Sequence, residues 1–292
     1  MTVQALVIQA HANHGAARTA DGRLLSFHFP RRLARPLPGD HIELDDQDSL
    51  ITIADRRNEF GRGDARGRFR PVATNLDRAL IVIAPQPAPS PDLLHRYLAT
   101  AHIKGIEPVI VINKTDLPIP DQPPFSELAD LARLGYQIIE CRCKPTLEID
   151  ALLESTNHGV SLLAGQSGVG KTSLLNALVP DLDRQTGALS RVTGKGVHTT
   201  TSATVHQLPG GAWLVDTPGV WEYGLWTMMT SELAQGFPEF AAIAGECRFR
   251  DCSHNHEPGC AVAAAAGSNE IPASRYQAWL RLLAEQTRLG RR

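Results

Sequence analysis

Gly165, Gln166, Ser167, Gly168, Val169, Gly170, Lys171 and Thr172 fit the spacing Gly-x4-Gly-Lys-Ser/Thr. Such a run can wrap a phosphate. Gly165 and Gly170 permit backbone dihedrals that other residues resist, so that successive N–H groups turn inward around an anion. Lys171 would then reach the β- and γ-phosphates of a nucleotide, and Thr172 would ligate Mg²⁺. From Ser173 onward SLLNAL is helix-forming, and the positive end of that helix adds to the attraction. An ordinary glycine-rich turn is the blander alternative. The apolar strand at 160–164 and the helix after Lys171 argue against it, because the motif lies where its mechanism requires.

Two further motifs extend the site. DTPG at 216–219 follows the apolar run 213–215, so Asp216 stands at a strand end where it could hold Mg²⁺ through water, with the Gly219 N–H offered to the γ-phosphate. NKTD (Asn113, Lys114, Thr115, Asp116) follows the apolar run 109–112. The Asp116 carboxylate can accept two hydrogen bonds from guanine N1–H and its 2-amino group. Adenine has no matching pair of donors, so the expected substrate is GTP. Alone, NKTD would read as a helix cap or a turn. In company with the other two motifs it reads as the guanine determinant.

A separate cluster carries metal chemistry. Cys247, Cys252, His254 and Cys260 form C-x4-C-x-H-x5-C, three thiolates and an imidazole that suit tetrahedral Zn²⁺. The metal would staple a segment too small to build its own core. His256 is a rival for His254, and buried free thiols with surface histidines are the alternative reading. The other two of the five cysteines, Cys141 and Cys143, read as core or loop thiols. With an odd count and no export signal, a disulfide framework is not expected.

These residues need positioning elements. Short β-prone runs at 5–9, 24–29, 41–44 and 50–54 suggest a small barrel or sandwich. From about residue 78 buried-strand runs at 79–84 and 108–112 alternate with helical stretches at 92–103 and 126–134, the texture of βαβ units on a parallel sheet. Beyond about residue 230 the pattern turns helical and polar, and a last helix puts Tyr276, Leu280 and Leu283 on one face. The Pro-rich stretches 85–91 and 118–124 read as loops. The guanine motif precedes the phosphate loop by about fifty residues, the reverse of the usual order, so the α/β domain reads as circularly permuted.

The composition, 42% hydrophobic and 21% charged with a net charge of −2, fits globular cores and excludes a global basic field. RNA, if bound, must meet a local patch. Residues 56–70 supply arginines at 56, 57, 62, 66, 68 and 70, and Arg31, Arg32 and Arg35 precede them, the expected phosphate-contacting patch on a barrel loop. No run approaches 18 apolar residues and no signal peptide is seen, so no membrane association and a cytosolic location are expected.

Together these features closely resemble the ribosome small-subunit-dependent GTPase family (RsgA, also called YjeQ), a circularly permuted group. The resemblance rests on NLDR at 75–78, NKTD, GQSGVGKT, VHTTT at 197–201, DTPG followed by Val220, and CRFRDCSHNHEPGC at 247–260. It implies an N-terminal OB-fold β-barrel (1–72), a circularly permuted P-loop GTPase domain (73–230) and a C-terminal helical zinc-binding domain (231–292). It also implies GTP hydrolysis activated by the small ribosomal subunit during late assembly, with rRNA as a contact. Thr200, with Thr199 as rival, would meet Mg²⁺ in the GTP state. Val220 and Trp221 occupy the region where many GTPases carry a water-orienting glutamine, so intrinsic hydrolysis should be slow, and His198 is the catalytic candidate in its stead. Two segments depart from the family pattern: 140–150 lacks the usual Ser-Ala-type loop against the guanine base, and 194–197 reads GKGV. Weaker guanine affinity is the expected consequence of the first. The competing readings are a permuted GTPase serving another RNA particle, and an RNA-binding zinc protein that uses GTP as a structural ligand. A monomer is expected.

Overall fold

The computed structural model describes residues 2–30, 32–90, 92–193, 203–217 and 224–290. Five antiparallel strands open the chain: β1 (Val3–Ala10), β2 (His14–Thr19), β3 (Leu24–His28), β4 (His41–Leu44) and β5 (Leu50–Ile53), in the sheet order β3-β2-β1-β4-β5. A parallel bridge between His28 and Ser49 brings the two outer strands together, with the His28 N–H donating to Asp48 O at 3.0 Å. The sheet thereby curls into the five-stranded, partly open barrel of an OB-fold. Alternation along the strands points Val7, Ala17, Phe27, Ile42 and Leu44 into the barrel. Leu6 and Ile8, on the opposite face of β1, pack instead onto the rest of the molecule.

Residues 56–70, expected as a barrel loop, form part of a hairpin of β6 (Glu59–Gly63) and β7 (Phe69–Thr74) that pairs with no barrel strand. It lies against the segment 224–227, downstream of the DTPG motif. Gly63 N–H donates to Gly224 O at 2.8 Å, and Thr227 N–H donates to Gly67 O at 2.7 Å. A Cβ on Gly63 would stand 2.2 Å from Leu225 O, so only glycine allows this approach. Phe69 packs on Trp226 with ring centroids 4.6 Å apart, and the Lys104 ammonium sits over both rings.

The central layer is a six-stranded sheet. Its elements in chain order are β8 (Arg78–Ile83), α1 (Leu93–Ile103), β9 (Glu107–Ile112), α2 (Leu128–Arg133), β10 (Gln137–Glu140), α3 (Asp150–Ser155), β11 (Val160–Gly165), α4 (Lys171–Leu178), α5 (Leu182–Thr193), β12 (Thr204–Gln207) and β13 (Trp213–Asp216). The strand order is β10-β9-β8-β11-β13-β12, parallel except for β12. The permutation is visible in this order, since β11 pairs with β8 and joins a half built before it to a half built after it. Both faces are covered, as a parallel sheet requires. Leu80, Val82 and Leu163 pack against Leu174 and Leu178 of α4 on one face. Ile81, Ile83 and Leu162 pack against Leu94 and Leu98 of α1 on the other.

Four helices complete the chain: α6 (Thr230–Ala234), α7 (Pro238–Ala241), α8 (Ala261–Gly267) and α9 (Ala273–Leu289). Their apolar residues, including Phe237, Phe240, Val262 and Trp279, belong to the same core cluster as α1. The stripe of α9 runs through Tyr276, Trp279 and Leu283, with Leu280 only half-buried at its edge. Arg275 ties this end to the sheet. Fully buried, it ion-pairs with Glu239 at 2.6 Å and donates to Gly236 O and to His95 Nδ1 of α1. With Nδ1 accepting, His95 carries its proton on Nε2 and donates to Glu127 at 2.8 Å. Burial pushes the His95 pKa down, which keeps the ring neutral for this relay. Among the described residues no helix is long and apolar enough to cross a membrane.

Candidate nucleotide site and metal centre

The carboxyl ends of β8, β9, β11 and β13 share one edge of the sheet, and the candidate chemistry gathers there. The phosphate loop leaves β11 at Gly165 (φ 138°) and enters α4 through Gly170 (φ 97°). Its curvature is held from beneath by the guanine motif. Asn113, 2% exposed, donates from Nδ2 to Val169 O at 2.8 Å, and Lys114 Nζ donates to Gly168 O at 2.7 Å and to Gln86 O at 2.8 Å. A Cβ at Gly170 would meet Asn113 Nδ2 at 2.3 Å, so the glycine is required by close approach as well as by its dihedral. Thr115 donates from Oγ1 to Cys141 O at 3.2 Å, while Asp116 is exposed at the turn that follows.

Lys171 donates to Gly165 O at 2.7 Å and Gln166 O at 2.8 Å. Those carbonyls hold the ammonium at the mouth of the loop, where phosphate oxygens could replace them. Burial lowers the Lys171 pKa, and the Asp216 charge opposes that shift. At Asp216 burial raises the pKa and Lys171 opposes it, so each charge partly offsets the burial cost of the other. Thr172 and Ser173 are exposed on the first turn of α4, and Ser167 lies in the loop itself. A hydroxyl and a half-buried carboxylate at one sheet edge are oxygen donors that suit Mg²⁺. Gly219, His198 and Thr200, with Thr199, Val220 and Trp221, lie outside the described residues.

The sequence reading passed over one wall of this site. The Pro-rich segment after β8, expected only as a loop, closes over the phosphate loop. Ser90 N–H donates to Gln166 Oε1 at 3.2 Å, the Pro87 ring faces Gly168, and Gln86 supplies the carbonyl that anchors Lys114. Its position at the carboxyl end of a central parallel strand was the available signal. The atypical guanine-side loop is a pinched turn. Arg142 and Glu148 exchange backbone hydrogen bonds at 3.0 and 2.9 Å and are also joined through their side chains. Cys141 is buried beneath NKTD, and burial pushes its thiol up to about 12. That thiol is an inert packing group.

At the other end of the molecule Cys247, Cys252, His254 and Cys260 bring their ligand atoms within 4.8 Å of one another. His254 Nδ1 lies 3.6 Å from Cys247 Sγ and 3.5 Å from Cys260 Sγ. Tetrahedral zinc with ordinary bond lengths separates such S and N ligands by about 3.6 Å, so the donor set fits that metal in both chemistry and span. The ring of His256 packs edge-on against Tyr276 and stays out of the cluster. The outer shell is built from α9: Tyr276 OH donates to His254 O at 3.0 Å, and Trp279 Nε1 donates to Ser253 O at 3.2 Å. Burial pushes the Glu257 carboxyl up, but hydrogen bonds from Ser253, Asn255 and its own backbone outweigh it and hold the pKa at about 2.

The arginines at 56–70 are largely engaged within the chain. Arg56 pairs with Asp40 and Glu59, Arg57 with Asp77, and Arg68 and Arg70 with Asp64. Hydrogen bonds from the Arg68 and Arg66 backbone and from the Arg68 and Arg70 side chains hold the Asp64 carboxyl well below the usual range. Among the described residues, Arg62 and Arg66 are the members of the group outside an ion pair.

Comparison with known proteins places this architecture. A family model described as RsgA GTPase matches residues 53–226. The small ribosomal subunit biogenesis GTPase RsgA of Chromohalobacter salexigens is 40% identical over 279 residues, 94% of this chain and 81% of that protein. The protein of the same description from Pseudomonas aeruginosa is 41% identical over 272 residues, 91% and 80% of the two chains. The crystal structure of YjeQ from Thermotoga maritima matches with a TM-score of 0.76 at 27% identity, covering 98% of this chain and 99% of that one. YloQ, a circularly permuted GTPase, matches with a TM-score of 0.74 at 26% identity, covering 98% and 96%.

Proposed function

This chain belongs to the RsgA GTPase family, and on that premise we propose that it is a GTP switch discharged on the small ribosomal subunit during late assembly, in contact with rRNA. The observation that carries the reading is the anchoring of Asn113 and Lys114 on the carbonyls of Val169 and Gly168. It joins the guanine motif to the phosphate loop across the permuted connection, so base and phosphate are read by one rigid unit. We assign three units, an OB-fold at 1–72, the permuted GTPase at 73–230 and a zinc-binding helical unit at 231–292, in a cytoplasmic monomer.

The phosphates of GTP lie against the N–H groups of 165–173 at the start of α4, where Lys171 exchanges its loop carbonyls for β- and γ-phosphate oxygens. Asp116 accepts from guanine N1–H and the 2-amino group, with Thr115 fixed beneath it by Cys141 O. Gly219 offers its N–H to the γ-phosphate. Mg²⁺, held by Thr172, Asp216 and Thr200, would neutralise charge on the transferring phosphoryl group. Zn²⁺, held by Cys247, Cys252, His254 and Cys260, would supply structure alone. His198, a neutral imidazole, orients the attacking water once the subunit fixes its segment, so turnover in isolation should be slow.

Co-sedimentation tests the reading. The chain loaded with a non-hydrolysable GTP analogue should pellet with isolated small subunits and not with large ones, and GDP should weaken the complex. Equal pelleting with both subunits would point to another RNA particle. Equal pelleting with GTP analogue and GDP would point to a structural nucleotide.

A further inference from the structure

A groove of about 860 Å³ opens between the barrel and α5, away from the phosphate loop. One wall is the β2–β3 face of the barrel, contributing Arg18 and the turn at Gly22. The other is α5, whose Arg184 and Arg191 stand on one side of the helix, seven residues and thus about 10 Å apart. The turn after β12 closes the end. Gln207 locks the three elements together: its Oε1 accepts from Arg18 Nη1 at 3.1 Å, while its backbone exchanges hydrogen bonds with Gln185 of α5 at 2.9 and 3.0 Å. The groove is therefore composite, half barrel and half nucleotide-binding unit.

Its charge runs against that of the chain. Among the described residues three guanidinium groups face one carboxylate, Asp181, in a protein of net charge −2. Arg184 is largely exposed and meets Asp181 only at 3.9 Å. Among the described residues Arg191 is in no ion pair, and the Nε of Arg18 is buried with no hydrogen-bond partner. Apart from the long Arg184–Asp181 contact, these guanidinium groups have no acid partner among the described residues, which leaves positive charge for an anion. Among the described residues no aromatic side chain lines the groove, so these residues offer charge for a backbone and no platform for bases. In OB-folds the face of strands 2 and 3 is the one that binds oligonucleotides. Here α5 stands across that face and converts it to a channel.

We propose that this composite groove holds the phosphodiester backbone of an unpaired RNA strand, gripped by Arg18 from the barrel and by Arg184 and Arg191 from α5. The inference rests on the RNA-particle reading above and gives that reading a surface. It also moves the RNA contact away from the arginines at 56–70, which are mostly neutralised by their own acids.

The test uses the full chain and a fluorescent oligouridylate of about 12 nucleotides, with anisotropy followed from about 50 to 200 mM salt. Arg184 and Arg191 are exposed, so Arg184→Ala/Arg191→Ala should fold and keep its intrinsic GTP turnover. It should lower the slope of log affinity against log salt by about 1.4, or about 0.7 per phosphate contact. Arg250→Ala, outside the groove, should leave the slope unchanged. An unchanged slope in the double variant overturns the proposal. So does a wild-type chain that binds decaglutamate and not the oligouridylate, which would make the groove a site for an acidic protein segment. Subunit-stimulated turnover of the wild-type chain, measured in parallel, separates the two claims. An arginine-dependent slope without stimulation leaves the groove standing and removes the functional reading. Stimulation with an unchanged slope does the reverse.

Discussion

The phosphate loop and the Cys/His loop both gather around an ion, and they are built by opposite means. Residues 165–170 rest on a parallel sheet and are fastened by Asn113, Lys114 and the segment at 86–90, so the loop keeps its curvature through protein contacts alone. Residues 247–260 have no sheet beneath them. Their shape rests on four ligand groups, on hydrogen bonds within the loop centred on Glu257, and on two hydrogen bonds from α9. An anion that must come and go is given a preformed cradle, whereas a cation that stays can be part of the fold.

The largest expected effect breaks the second region without touching the first. Cys260→Ser, or removal of the metal by a chelator, should cost on the order of 10 kcal/mol of local stability around 244–270. Limited proteolysis should cut there first, while GTP affinity changes less than twofold. Equal loss of GTP binding would mean that the two regions are not separable.

Arg275 joins α9, which braces the Cys/His loop, to α1 and α7. Arg275→Ala leaves Glu239 buried without its partner and His95 without its donor, and should cost about 3–5 kcal/mol in denaturant unfolding. Arg275→Met, which fills the space but still strands Glu239, should be little better. Adding Glu239→Gln to Arg275→Met should recover part of the loss, and failure to recover it would assign the cost to packing rather than to charge.

Lys171→Ala is the converse of the Cys260 change. Its loss removes two hydrogen bonds to loop carbonyls and the charge facing Asp216, so unfolding should shift by about 1–2 kcal/mol while metal content stays constant. Turnover should fall by about 10²–10³, the cost of losing one preorganised charge at a developing anion.

The smallest effect is a pH dependence confined to the sheet. His206 on β12 is buried, and burial pushes its pKa down to about 4 from 6.5. The unfolded chain takes up a proton near 6.5 and the folded chain refuses it until about 4. Stability present above pH 6.5 is therefore lost as pH falls through that window, by about 2 kcal/mol at pH 5. In His206→Gln the fall between pH 7 and 5 should shrink by that amount. An unchanged fall would mean that the ring is already charged in the folded chain.

The same contrast governs how much was legible in the sequence. The phosphate loop was readable because its glycines and its Lys-Thr pair are dictated by backbone geometry within eight residues, and 160–164 and 213–215 were readable as the strands that carry it. The metal ligands were readable for a similar reason, their spacing being local. What escaped depends on distant partners. In β2 the small residues Gly15, Ala16 and Ala17 carry no polar–apolar alternation, yet Ala17 is core in the barrel and Ala16 packs on the body. The Arg-rich hairpin of β6 and β7 suggested a free loop because two of its four acid partners, Asp40 and Asp77, and its docking strip at 224–227 are distant in sequence. The same holds for the groove, whose arginines at 18, 184 and 191 meet only in the fold.

The central claim is that a rigid nucleotide site is set off by a ribosomal partner. GTP turnover by the full chain, measured alone, with isolated small subunits and with isolated large subunits, tests it most directly. Turnover should be slow alone and strongly stimulated by the small subunit only, and His198→Ala should lose that stimulation without losing the basal rate. Stimulation by the large subunit, or turnover indifferent to either particle, would contradict it.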